Sequence, residues 1–242
     1  MSIYYFTVER GVYAFLTSFK SDSVADAETH FRATTLVNDA DIVNAMYPPT
    51  LVHKVILDLE RVICLAICQT EGHPRRVNFR VETDKTHLDA LPSSVGGIGS
   101  VFTTGGEYLL RREPDVVMQL RNVNGIIESL PTYTKRNYWA FDGGKFYCTV
   151  AGAVKVETFD PQFAPVDAFT DYDLPFVIAL AAVAKLPEEF ELAWVVGAAG
   201  ILAAKVGTFP EEAANYQQMF QQLMEQHGLK LKLPLDFNAN EG

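Results

Sequence analysis

The sequence predicts an α+β fold: a helical bundle, made of N-terminal helices and a C-terminal helix pair, with a β-rich middle insertion and an extended C-terminal arm. Three observations predict it. Apolar residues recur at helical spacing at both ends of the chain. They alternate every second residue in the middle. Strands and helices do not take turns along the chain, as they would in a doubly wound sheet. The boundaries fall at residues 1–72 for the first helices, 76–160 for the insertion, 174–228 for the closing helices and 229–242 for the arm, read together as one domain.

Thr7 is placed to cap a first helix carrying Val8, Val12, Phe15, Leu16 and Phe19. Residues 23–35 and 39–46 make two shorter helices, the second with Asp39 and Asp41 in its first turn, where the helix dipole favours acids. Pro48 and Pro49 break the chain, and Pro49 suits a helix start. Over 50–69, Val52, Val55, Ile56, Leu59, Val62, Ile63, Ala66 and Ile67 form a wide apolar face, which makes this a core helix. Gly72 and Pro74 close it. In the middle, Val77, Phe79 and Val81 alternate with Asn78, Arg80 and Glu82, a strand pattern. The Gly- and Ser-rich stretch 91–106 reads as a flexible loop or hairpin tip. Residues 115–123 read as a strand turning at Asn124-Gly125 toward Ile126 and Ile127. A stronger hairpin signal is Phe141-Asp142-Gly143-Gly144-Lys145-Phe146-Tyr147, with aromatics on either side of an Asp-Gly turn, and 148–150 and 154–159 add strand. Helices return at 175–184, 187–206 and 210–227. The second has proline and acids near its start and many small residues within it; Gly207 and Gly228 end the last two.

With 48% apolar and 21% charged residues the composition is that of a globular protein, and 242 residues suffice for a sizeable core. The net charge of −10 argues against a surface built to grip phosphates. Cys64, Cys68 and Cys148 give no disulfide framework and, with no histidine at a zinc spacing, read as buried apolar residues. The first residues lack the pattern of a secretory signal, and the longest apolar runs are too short for a bilayer, so synthesis in a reduced cytoplasm is expected.

Candidate chemistry is sparse. Gly96-Gly97-Ile98-Gly99 lacks the third glycine of a dinucleotide loop, since Val101 and Phe102 stand where it would be. His30, His53, His73, His87 and His227 are scattered, without a nucleophile motif beside them. Arg75-Arg76, Arg111-Arg112 and Lys135-Arg136 are read as solvated strand ends, with contact to phosphates, to an acidic partner or between subunits as the alternatives. Tyr133, Tyr138, Trp139, Phe141, Phe146 and Tyr147 cluster round the hairpin, for packing on helices or against another subunit. No catalytic residue, cofactor or metal is expected. Leu229, Leu231, Leu233, Leu235 and Phe237 alternate with Lys230, Lys232, Pro234 and Asp236 after a helix stop. Such a strand pairs either at a sheet edge of its own subunit or with a neighbour by strand addition.

The closing helix pair, with Pro187, Glu188, Trp194, Gly197, Ala198, Ala199, Tyr216 and Phe220, together with Leu130-Pro131 before an aromatic segment, resembles the head-to-tail adaptor (connector) proteins of tailed bacteriophages, nearest to the tail-tube-type adaptors of short-tailed phages. In that family a helix with a Gly-Ala step packs on a last helix with spaced aromatics, and a docking arm often follows. The resemblance implies a structural virion protein of the neck or tail, made in the host cytoplasm. It implies a ring of copies, typically twelve, below the portal protein, with the tail tube or nozzle protein beneath. DNA would pass through the bore as cargo without specific binding, and no membrane is involved. On this reading the five alternating residues from Leu229 to Phe237 are the docking arm, removable after Gly228 without loss of the fold, and 91–106 faces the tail or the lumen. The alternatives are another tail-completion or tube-closing component and, from a different class, a small cytosolic enzyme with a site assembled around His53 or His87.

Overall fold

The computed structural model describes residues 3, 5–18, 47–92, 95–127, 137–162, 184–206 and 210–231. The helices expected over 23–35 and 39–46, and all but the last residue of the one over 175–184, lie outside them. The described residues form a mixed α+β fold. In chain order the helices are α1 (Tyr5–Ser18), α2 (Pro49–Gln69), α3 (Pro114–Ile127), α4 (Glu191–Val206) and α5 (Pro210–Gln226). The strands are β1 (Arg80–Lys85), β2 (Gly97–Thr103), β3 (Leu110–Arg111), β4 (Tyr138–Asp142), β5 (Lys145–Cys148) and β6 (Val154–Phe159). The chain divides into two compact units, residues 1–66 with 163–242 and residues 67–162.

The first unit is helical. α1 begins at Tyr5, so Thr7 sits within its first turn and does not cap it. α2 starts where two prolines break the chain, and the Pro48 carbonyl accepts from the Leu51 and Val52 amides at 2.9 and 3.1 Å. One stripe of α2, including Val52, Ile56, Leu59 and Ile63, is wholly buried, as its apolar spacing requires. α4 is apolar nearly all round, and every residue from Ala193 to Ala203 is buried, the fate of a helix with no polar face. It sits at the centre. Trp194 donates its indole N–H to the Ile56 carbonyl at 2.9 Å and meets the Tyr5 ring edge-on at 5.7 Å. From α5, Tyr216 donates to the Phe15 carbonyl at 3.1 Å and packs edge-on against the Phe15 ring.

The contact between α4 and α5 is set by Gly197. A Cβ there would lie 2.6 Å from Phe220 Cδ2 and 2.8 Å from Leu59 Cδ2. Alanine gains about 1 kcal/mol in helix propensity, while forcing a methyl into a filled core costs about 1–3 kcal/mol. Gly197→Ala is therefore expected to lose about 1 kcal/mol net, read as a lower urea midpoint. Adding Phe220→Leu is expected to recover part of the loss, because the two changes share one space. A Gly197→Ala chain more stable than wild type contradicts this packing.

α5 ends in a Schellman motif. Gly228 takes a positive φ of 77°; its amide bonds to Glu225 O at 3.0 Å and that of Leu229 to Met224 O at 2.9 Å. The motif brings its own hydrophobic contact, with Met224 0% and Leu229 1% exposed. Leu229 therefore belongs to the core of its own helical unit and not to an arm. Removing the chain after Gly228 is expected to cost about 2 kcal/mol, the worth of burying one leucine. Removal after Leu231 should leave the melting curve unchanged. Equal melting of the two truncated chains would show that Leu229 holds nothing.

The second unit is a wrapped β-structure with one helix. β6 lies between β1 and β2, antiparallel to both, with an irregularity in β2 between Ile98 and Val101. β4 and β5 form the expected hairpin, with Asp142 opposite Lys145 and Gly143 and Gly144 both at positive φ, as a two-residue turn of this hand requires. β3 runs parallel to β4. An isolated bridge pairs Phe102 of β2 with Tyr108, just ahead of β3, and residues 88–91 bond to β5 and its turn, with Leu88 N to Phe146 O at 2.7 Å. Val101, Leu109, Trp139, Phe146, Cys148, Val154 and Val156 fill the interior.

Three expectations for this region are corrected. Residues 74–79 form a 3-10 turn capped by His73 Nδ1, which accepts from the Arg75 amide at 3.2 Å, so the strand begins only at Arg80. The Gly-rich 91–106 contains β2. Gly99 lies in that strand because Glu157 occupies the space, Oε2 being 2.5 Å from where a Cβ would stand. Residues 115–123 are helical and not a strand, with Pro114 at the start of α3, and Asn124-Gly125 lies inside the helix rather than at a hairpin turn.

Candidate functional site

The titratable groups that sequence reading marked for an enzyme are engaged in holding elements together. His53 Nε2 stands 2.7 Å from Glu9 Oε1, joining α2 to α1. Nearby, burial with the Glu9 charge pushes the Tyr13 hydroxyl up to about 12. In the second unit, His87 Nδ1 accepts from the backbone amide of Cys148 at 3.1 Å, which fixes the neutral tautomer with its proton on Nε2. Burial and the Arg121 charge lower its pKa. The Cys148 thiol turns away, 3.5 Å from the Val150 carbonyl, and burial raises its pKa. A neutral imidazole bonded to backbone, beside a protonated thiol, is not an activated nucleophile. Arg121 is occupied as well, donating to the Cys148 and Val150 carbonyls at 2.9 and 2.8 Å and so pinning α3 to the end of β5. Among the described residues no three His, Cys, Asp or Glu side chains are grouped to hold a metal ion.

Among the described residues the most deeply buried carboxyl is Glu60, 1% exposed. Tyr5 donates to its Oε2 at 2.6 Å and the Lys185 amide to its Oε1 at 2.7 Å. Burial raises the Glu60 pKa, while the Tyr5 bond and the Lys185 and Leu186 amides pull it down. Desolvation, with the Glu60 charge added, raises the Tyr5 hydroxyl. The carboxyl fastens the segment leading into α4 to α1 and α2. No sequence motif marks it, but a lone glutamate on the apolar stripe of a core helix is a readable anomaly.

The surface offers more than the interior. Tyr108 is 69% and Leu110 51% exposed, the largest such exposures of an aromatic and a leucine among the described residues. They lie on one face of residues 107–111, since Leu109 between them points into the core. Strand pairing sets Phe102 beside Tyr108 and Tyr138 beside Leu110 on that same outer face. Arg112 extends over the Tyr138 ring at 5.7 Å, and Arg111 over Trp139 at 5.6 Å at the lip. Among the described residues neither guanidinium has a carboxylate partner. Of the other basic pairs, Arg76 is turned inward, over the Phe159 ring at 3.9 Å and onto the Cys68 carbonyl at 2.7 Å, and Lys135-Arg136 lie outside the described residues. The aromatic cluster divides likewise: Trp139 and Phe146 stack in the core, Tyr138, Phe141 and Tyr147 reach the surface, and Tyr133 is outside the description.

Of the five alternating residues near the C-terminus, Leu229 is buried in its own unit, Leu231 is half-buried, and Leu233, Leu235 and Phe237 lie outside the described residues. Among the described residues no helix is long and apolar enough to cross a membrane. No protein-family model matches the chain, and no curated protein matches it in sequence.

Proposed function

We propose that the chain is a structural virion protein of a tailed bacteriophage. It forms a ring, of twelve copies as the resemblance implies, that joins the portal to the tail around the DNA exit channel. The observation that carries this reading is the closing helix pair. A small-residue helix, buried from Ala193 to Ala203, is fitted at Gly197 and Gly200 to Phe220 and Tyr216 of the last helix, which supports the packing that the resemblance to the adaptors implies. Charge supports it: a lumen built from copies each carrying −10 repels DNA and lets it slide. The chemistry is interface burial between head-to-tail copies, not bond-making. The shortened arm, Leu231 to Phe237, reaches the portal.

Native mass spectrometry of the purified chain, alone and mixed with a portal ring, tests this. The expected result is a ring of stoichiometric copies on the portal, and loss of that complex when the chain is cut after Leu231. A chain that ignores the portal removes the adaptor reading.

A further inference from the structure

We infer that His87 is an acid-operated latch: neutral, it holds residues 86–91 along the outer edge of β5, and protonated, it releases them and bares that edge. The device lies within the second unit and stands or falls separately from the ring reading.

β5 ends its sheet, with β4 on one side. An uncovered strand edge is a template for pairing with another chain. Here the outward backbone groups are taken in turn. Gly144 O accepts from the Leu91 amide at 3.1 Å. Phe146 donates its amide to Asp89 O at 2.9 Å and accepts from the Leu88 amide at 2.7 Å. The next outward donor is the Cys148 amide, and its acceptor is not a backbone carbonyl but His87 Nδ1, at 3.1 Å. An imidazole ring thus stands in for one rung of the ladder. A carbonyl accepts at every pH, whereas Nδ1 accepts only while it carries no proton. Once it is protonated, two N–H groups face each other across that rung. The ring is half-buried, within reach of solvent.

The surroundings do not offset the lost bond. Arg121 of α3, fixed on the Cys148 and Val150 carbonyls at 2.9 and 2.8 Å, sets a positive charge near the ring. From β5, Tyr147 meets it edge-on at 5.8 Å, and Cys148 carries a thiol that burial keeps protonated. Lys85, at the end of β1, donates to the Ala90 carbonyl at 2.9 Å. The Asp89 carboxylate accepts from the Thr86 amide at 2.7 Å, which holds it below the usual carboxylate range. Asp89 therefore keeps its charge where histidine titrates. Leu88 takes a φ of 71°, a conformation leucine rarely adopts, and is 49% exposed, so burial does not hold it there. The bonds to β5 hold it. The latched ring titrates below the ordinary histidine value of about 6.5, through burial and the Arg121 charge. The latch is therefore closed above that value and weakens as pH falls through the latched one.

The test is amide hydrogen exchange of the full-length, isotope-labelled chain, followed by NMR and corrected for the intrinsic pH dependence of exchange. Opening at the Leu88, Leu91, Phe146 and Cys148 amides is expected to rise together, about tenfold between about pH 8 and about pH 5. His87→Asn puts an amide oxygen near the place of Nδ1 and does not titrate, so its chain should stay latched across that range. His87→Ala leaves the Cys148 amide without its acceptor and should open at both ends of it. If the wild-type amides are protected equally at both pH values, the latch is overturned. It is overturned as well if the His87→Asn chain opens with acid as the wild type does, because another group then carries the change. Should His87→Ala fail to fold, the wild-type and asparagine chains decide between these results.

Discussion

Trp194→Ala is expected to lower the stability of the helical unit by about 5 kcal/mol, the upper end for truncating a buried aromatic. Three losses combine. The side chain is 0% exposed at the centre of the unit, so its removal leaves a large void in α4. Its indole N–H bond to the Ile56 carbonyl disappears, and so does the edge-on contact with Tyr5. With domains typically stable by about 5–15 kcal/mol, a loss of this size removes much of the margin. Urea melts followed by helical circular dichroism should show an early transition, and tryptophan emission from Trp139 then reports the second unit separately. Trp194→Phe, which keeps most of the volume, should lose far less. A Trp194→Ala chain that melts with wild type contradicts the placement of α4 at the centre.

Glu60→Ala is expected to cost about 4 kcal/mol, because the Tyr5 hydroxyl and the Lys185 and Leu186 amides are left without an acceptor at about 1–3 kcal/mol for each orphaned group. Glu60→Gln keeps an acceptor oxygen and is expected to cost far less, and its cost should change with pH. Burial raises the folded-state pKa of Glu60, so between the usual carboxyl value and the raised one the folded chain holds a proton that the unfolded chain releases. That contribution is fully present below the unfolded pKa, about 4.3, and is lost as pH rises through the folded one. Asp58, raised by burial too, acts in the same direction. Urea midpoints across this range should therefore show the glutamine chain gaining on wild type as pH rises. A gap that widens with pH would mean that Glu60 is held ionised and that its donors outweigh its burial.

Much of the framework was legible because the local signals agreed with the packing. Pro49 and the apolar stripe gave α2, the Asp-Gly turn gave the β4–β5 hairpin, and Pro187, Pro210 and Gly228 bracketed the closing helices. The failures came where a distant side chain decided a local conformation. Gly97 and Gly99 suggested a loose loop, yet they form a strand, Gly99 leaving room for Glu157. Val116, Val117 and Val123 suggested β-structure, but the segment is helical and Arg121 on it reaches the carbonyls of Cys148, at the end of β5, and Val150 just after it. Leu229 joined a period-two run by coincidence, since a leucine after the Gly228 stop is what a Schellman cap places in the core. The Tyr108–Leu110 face could have been anticipated from strand alternation, had the bridge to Phe102 been readable from residue spacing.

The strand order has a consequence for synthesis. β6, the last strand of the second unit, is the middle strand of its sheet, and β1 and β2 bond to it and not to each other. Neither β1 nor β2 can pair in that sheet until residues 154–159 have left the ribosome. The helical unit waits longer: the Trp194 and Tyr216 contacts of α1 come from α4 and α5. The second unit can thus form before the helical one, and α1 meets α4 and α5 only after both have been made.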